Sequence, residues 1–277
     1  MKAIIALQSL VVPNLRARRF LFRSASFGAA ILAVLFTSAV ARSAILYGNF
    51  SGNTVDYIAV TEDSNSGDPL PLFGAPAVFG DSLDFDPVGF SAHASGAAGV
   101  DITDGNLTFM VVAHAGYAIE NIQLSEAGDT TMAGFGTDAT FTGVTASGIL
   151  NINEVDGVGI PVISVPFSLA FTPSGGTYGL LTDGGGGPLF NSNWQGFLFQ
   201  DIEQVLINEG VPYTLGATKI SINIDNTLSA LSENGTSSLI AKKHFGGLSV
   251  TVNIPEPSSL LLGGIVLLAG MIRRRVV

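Results

Sequence analysis

The chain has 277 residues, no cysteine, 34 glycines and a formal net charge of −10. Without cysteine there are no disulfides, zinc–thiolate centres, iron–sulfur clusters or thiol nucleophiles. Between Arg42 and Arg273 the only basic residues are Lys219, Lys242 and Lys243, so the central region repels nucleic acid and anionic headgroups, which require Lys and Arg to neutralise phosphate.

The N-terminus carries Lys2, Arg16, Arg18, Arg19 and Arg23 with no acid among them, followed by an apolar run from Phe27 to Val40. Ala39-Val40-Ala41 then supplies the small-x-small pattern that signal peptidase cuts. Residues 1–41 are expected to be a signal peptide cleaved after Ala41, with Ser43 or Ala44 as neighbouring choices and an uncut signal anchor as the alternative. Basic residues stay on the cytoplasmic side, so everything that follows is expected outside the cytoplasm.

Residues 42–254 are rich in Gly, Thr, Ser, Asn, Val, Ile and Phe, a composition of strands and turns. Ile45 to Tyr47 and Val55 to Val60 read as opening strands. A loop spans 62–76, where Pro69, Pro71 and Pro76 bar regular pairing. Strand-like stretches follow at 77–85, 88–94, 106–114 and 118–125. Glu126-Ala127-Gly128-Asp129 reads as a turn, and so do Asp101 to Gly105. Residues 138–153 and 160–171 read as longer strands, Pro161 and Pro166 placing the second at an edge or a bulge. Thr172 to Pro188, with four consecutive glycines at 184–187, reads as a long flexible connection.

One helix is expected over Phe199 to Ile207, from the spacing of Ile202, Val205 and Leu206. Ile220, Ile222 and Ile224, and later Leu248, Val250, Val252 and Ile254, alternate with polar residues as strands covering a core on one side do. About a dozen short strands without a fixed repeat predict an all-β fold, a single β-sandwich or jelly-roll-like domain.

Signals for chemistry are sparse. His93, His114 and His244 have no metal-ligand spacing, no GxSxG elbow is present, and Gly134 to Ala139 mimics a dinucleotide loop without its strand and helix. Asp81, Asp84 and Asp86 cluster before Pro87, and Asp101 and Asp104 lie close behind. These oxygens suit Ca²⁺, the one cofactor the sequence suggests, but they also suit turn capping, and no EF-hand pattern is present. Trp194 sits among Asn191, Ser192, Asn193 and Gln195, either as a core residue or as an exposed indole for stacking on sugar. Sequons start at Asn49, Asn106 and Asn234.

The chain ends with Pro255-Glu256-Pro257, an apolar run from Leu260 to Ile272, and Arg273, Arg274 and Arg275. As a helix that run spans about 20 Å, short of a hydrocarbon core of about 30 Å. In this order the three parts resemble the sorting signal of bacterial PEP-CTERM proteins. Pro255, Glu256 and Pro257 match the motif, and the three arginines match the basic tail that stays in the cytoplasm. The resemblance covers residues 255–275, within a C-terminal segment of 255–277, and says nothing of the body. It implies a brief stay in the membrane, processing near the motif by an exosortase, a membrane peptidase, and delivery to the cell surface or an exopolysaccharide matrix. The expected protein is non-enzymatic. The alternative is a carbohydrate-binding sandwich holding Ca²⁺ in its acidic loops, and a secreted hydrolase finds no motif in its favour.

Overall fold

The computed structural model describes residues 43–87, 89–97, 99–243 and the backbone of 249–253. Ala39, Ala41, His244 and the C-terminal residues Pro255, Glu256, Pro257, Arg273, Arg274 and Arg275 lie outside them, as does the apolar run from Leu260. Among the described residues no helix is long and apolar enough to cross a membrane.

Among the described residues, fifteen strands build two antiparallel sheets. The chain opens with β1 (Ile45–Ser51) and β2 (Val55–Asp63), then the short β3 (Ala77–Phe79), β4 (Ser82–Asp84) and β5 (Ser91–Ser95). Next come β6 (Gly99–Ala113), β7 (Asn121–Ala133), β8 (Phe141–Val155), β9 (Val158–Ser168), β10 (Ala170–Thr172), β11 (Thr177–Gly179) and β12 (Leu189–Asp201). The helix α1 (Ile202–Asn208) precedes β13 (Ala217–Ser232), β14 (Ser237–Lys242) and β15 (Ser249–Asn253).

The first sheet runs β1-β2-β6-β13-β8, and β11 and β9 both pair with β8 at its far edge. The second runs β10-β12-β7. Beyond β7 it divides: β14 pairs with its C-terminal half and carries β5, while β15 pairs with its N-terminal half and carries β4 and β3.

Alternation explains the layering. Ile220, Ile222, Ile224 and Leu228 of β13 face inward, as do Leu107, Phe109 and Val111 of β6, and Ile122 and Leu124 of β7. Burying each such aliphatic side chain is worth about 1.5–3 kcal/mol. Threonines close one end of the core: Thr130 of β7 and Thr142 of β8 share a 2.6 Å hydrogen bond between the sheets.

The all-β sandwich agrees with the sequence, but the strands are not uniformly short. Five of them run 13–16 residues, through two segments that look like turns. Glu126-Ala127-Gly128-Asp129 lies in the middle of β7, and Asp101 to Gly105 lies within β6. In both cases the glycine makes room for a ring. A Cβ on Gly105 would stand 2.6 Å from Phe90 Cε2, and one on Gly128 2.4 Å from Trp194 Cζ2.

Three other expectations need adjustment. The proline-rich loop after β2 is folded in: Glu62, fully buried, accepts the N–H groups of Leu72 and Phe73 and the Tyr47 hydroxyl. The connection from Thr172 to Pro188 contains β11 and a 3₁₀ turn (Ser174–Gly176), fastened by the Asp183 carboxylate on Ser174 Oγ and the Gly179 N–H. The helix begins three residues later than its spacing suggests, because Phe199 to Asp201 remain in β12 and Asp201 caps it by accepting the Gln204 N–H at 2.8 Å. Pro161 and Pro166 do lie on an edge strand, β9, with a register shift beside Pro161.

Gly128→Ala tests the central packing. Its Cβ would fall 2.0 Å from the Ala241 carbonyl oxygen as well as against Trp194, and both neighbours are fixed in strands. The substitution is expected to cost about 1–3 kcal/mol or more in urea unfolding. An unchanged midpoint would show that β7 does not pass this close to β14 and Trp194.

Candidate functional site

The most unusual chemistry lies between the sheets. Lys242 of β14, Glu126 of β7 and Asn226 of β13 all point inward and are buried. Lys242 pairs across the ladder with Gly128, two residues from Glu126, which places the two side chains diagonally on one face. Asn226 comes from the opposite sheet, between Gly105 on one neighbouring strand and Ala146 on the other. Those small neighbours leave space for what arrives from above.

The Lys242 amine is hydrogen-bonded to Glu126 Oε2 and donates to Asn226 Oδ1 at 2.6 Å. Two rings wall it in: Phe90, 5.0 Å from Nζ to its centroid, and Trp194 at 5.6 Å. Loss of solvent raises the Glu126 carboxyl and lowers the Lys242 amine, and their mutual attraction opposes both shifts. The direction is toward a neutral acid and a neutral amine. Glu126 Oε1, Asn226 Nδ2 and Trp194 Nε1 are buried with no hydrogen-bond partner among the described residues.

On the outside of the same sheet lies a different surface. Asn193, Gln195, Phe197 and Phe199 alternate outward along β12, and both phenylalanines are half exposed. Ser125, Ala127 and Asp129 lie opposite them on β7. Two hollows of 430 and 310 Å³ share Ala127 and Gln195. Lys243 stands over the first, paired with Asp129 at 3.0 Å. Trp194 itself points inward and is fully buried, its ring edge-on to Phe171 at 6.0 Å, so it is a core residue and the exposed-indole reading falls.

The five aspartates expected as Ca²⁺ candidates are not gathered. Asp81 accepts the N–H and hydroxyl of Thr54 at 2.8 and 2.7 Å. Asp101 accepts the His93 N–H at 2.7 Å. Asp104, three residues further along β6, faces the other side of the sheet and contacts Asn65 and Thr227. Asp84 is paired within β4, and Asp86 follows it. Among the described residues no three acidic or imidazole side chains surround a point where a metal could sit. His114 instead meets Asp56 at 3.2 Å. Gly134 to Ala139 is the bend between β7 and β8 and opens no helix. Of the sequon asparagines, Asn49 accepts the Ala59 N–H and Asn106 meets Asn223.

Residues 253–275 match the model of the PEP-CTERM protein-sorting motif. The C-terminus therefore carries this sorting signal. It marks an exported protein that is sorted through the membrane and processed by an exosortase. No curated protein matches the chain by sequence. The solved structures that overlap it weakly include the following three. The enzymatically active domain of bacteriophage CBA120 tailspike protein 4 is 10% identical over 76% of this chain and 19% of its own, with a TM-score of 0.21. TmCBM61 in complex with β-1,4-galactotriose is 12% identical over 56% and 70%, at 0.20. A loop-swap mutant of Necallimastix patriciarum Xyn11A is 10% identical over 78% and 98%, at 0.22. Overlaps this slight do not bear on ligand or activity, and the chain spans under a fifth of the tailspike it overlaps.

Aspartates do serve as loop clamps. Partial burial works against ionisation at Asp156, but hydrogen bonds from the Gly216, Thr214 and Leu215 N–H groups hold its carboxyl below the usual range. A depressed carboxyl contributes stability above its unfolded value of about 3.9, and that contribution is lost as pH falls through the folded value. Asp156→Asn is expected to cost on the order of 1 kcal/mol at neutral pH, since the site is solvent-screened, and to flatten stability loss below about pH 4. Unfolding midpoints from pH 2 to 7 check this, and parallel curves for the two proteins would refute it.

Proposed function

We infer that the mature protein is a non-enzymatic component of the cell surface or of an extracellular polysaccharide matrix. The observation that carries this reading is the sorting motif at residues 253–275. Signal peptidase removes residues 1–41, the apolar C-terminal run holds the chain briefly in the membrane, and processing near Pro255-Glu256-Pro257 releases residues 42–254 outside.

In this reading the body contacts polysaccharide through the outer face of β12. Phe197 and Phe199 offer ring faces to the apolar side of a sugar, and Asn193 and Gln195 offer amides to its hydroxyls. Scarcity of Lys and Arg in the body favours a neutral polymer over an anionic one. Contact through amides and rings needs no metal, unlike the alternative with Ca²⁺ in acidic loops.

Two measurements test the reading. Intact-mass analysis of native material is expected to find neither residues 1–41 nor the arginine tail; a steady-state species retaining Leu260 to Val277 would make the C-terminus a plain anchor. Binding to neutral exopolysaccharide is expected to survive chelation and to weaken about tenfold in Phe197→Ala, a loss of about 1.4 kcal/mol. Turnover of the polymer would overturn the non-enzymatic assignment, and binding abolished by a chelator would favour the Ca²⁺ alternative.

A further inference from the structure

We propose that Lys242 and Asn226 become joined by an intramolecular amide bond between the two sheets, formed with Glu126 as the proton-transferring group. The juxtaposition is specific. An amine, a carboxamide and a carboxyl meet at one nitrogen, in a buried space walled by Phe90 and Trp194. Each comes from a different strand, and Asn226 lies in the sheet opposite the other two.

Three further observations fit a reacting group better than a permanent ion pair. Only three lysines lie between Arg42 and Arg273, and one of them is placed in the core, where a cation has no access to water. Burial drives this amine and its acid toward their neutral forms, leaving the nitrogen lone pair available for attack. Finally, Glu126 Oε1 and Asn226 Nδ2 lack partners among the described residues, whereas a purely structural network ordinarily satisfies such atoms. They are the atoms a proton relay and a leaving group would use.

The step balances without any other reagent. Nζ of Lys242 attacks Cγ of Asn226, forming a C–N bond, as protonated Glu126 gives its proton to Oδ1. The resulting carboxylate takes one proton from Nζ and delivers it to Nδ2. The Cγ–Nδ2 bond then breaks, its electron pair leaves with the nitrogen as ammonia, and the proton on Oδ1 returns to Glu126. An amine and a primary amide become a secondary amide and ammonia; nothing is oxidised or reduced. Groups held by rigid strands supply effective molarities of about 10⁵–10⁸ M, which makes amide exchange between otherwise sluggish partners feasible. The neighbouring rings exclude the water that would compete.

Mass spectrometry on the purified full chain, unfolded before measurement, decides the matter. The expected mass is lower by one ammonia than its termini require. Trypsin is expected to leave the Lys242–Lys243 bond uncut, and the peptide from Ile220 to Lys243 is expected to give no fragment ions between Asn226 and Lys242. Glu126→Gln is expected to restore the full mass and free Lys242 for acylation in denaturant. Asn226→Asp, from which water leaves instead of ammonia, is expected to give the same mass as the cross-linked wild type. The wild-type protein suffices if a variant fails to fold. A full-mass peptide ending at Lys242 overturns the proposal. So does an ammonia loss mapping to a succinimide at Asn234-Gly235 with Lys242 still free.

Discussion

The amine of Lys242 constrains the sandwich more than any other group. A lone ion in this space would cost several kcal/mol, so its carboxyl and amide partners must arrive from separate strands in one register. A slip of one residue in β13 would turn Asn226 outward and set Asp225 or Thr227 against the core. The surrounding residues follow from the same demand. Gly105 and Ala146 flank Asn226 with small side chains, and Gly128 leaves room for the Trp194 ring and the Ala241 carbonyl to approach β7 closely. Phe90 closes the remaining side, stacked edge-on against Phe73 at 5.1 Å. Removing one of the Lys242 partners leaves the polar groups it faced buried without it, at a cost of about 1–3 kcal/mol each.

The alternating isoleucines of β13 made the sandwich legible in the sequence, and the prolines of β9 gave away its edge. What misled was residue type read without parity. Glu126, Gly128 and Asp129 are turn-formers by composition, yet Glu126 and Gly128 continue the inward positions of Ile122 and Leu124. Likewise Asn226 continues the series Ile220, Ile222, Ile224, and Lys242 continues Ser238 and Ile240. Three polar residues on inward positions were the available signal for the buried centre. Nothing in their spacing along the chain could have shown that they converge, because that depends on which strands become neighbours.

Trp194 gives the same lesson in reverse. Its polar neighbours leave a core or an exposed ring open, and the alternation of β12 decides it: Asn193 and Gln195 face solvent while the indole between them does not. The sheet thus separates two chemistries by the thickness of one strand, with amides and phenylalanines outside and the lysine centre inside. The sorting motif was readable directly, since it depends on the order of a few residues and not on tertiary contacts.

The outermost strand beside β8 has a bearing on how copies behave when crowded. Among the described strands β9 pairs with β8 alone, and it exposes Val158 and Val162, a profile that ordinarily invites one chain to zip onto another. Pro161 and Pro166 interrupt the strand: neither carries an N–H to donate, and Pro161 sits where the register with β8 shifts, so the rim is a poor template for regular pairing. Such an edge disfavours fibre growth along this rim and favours discrete, separate molecules where copies are crowded.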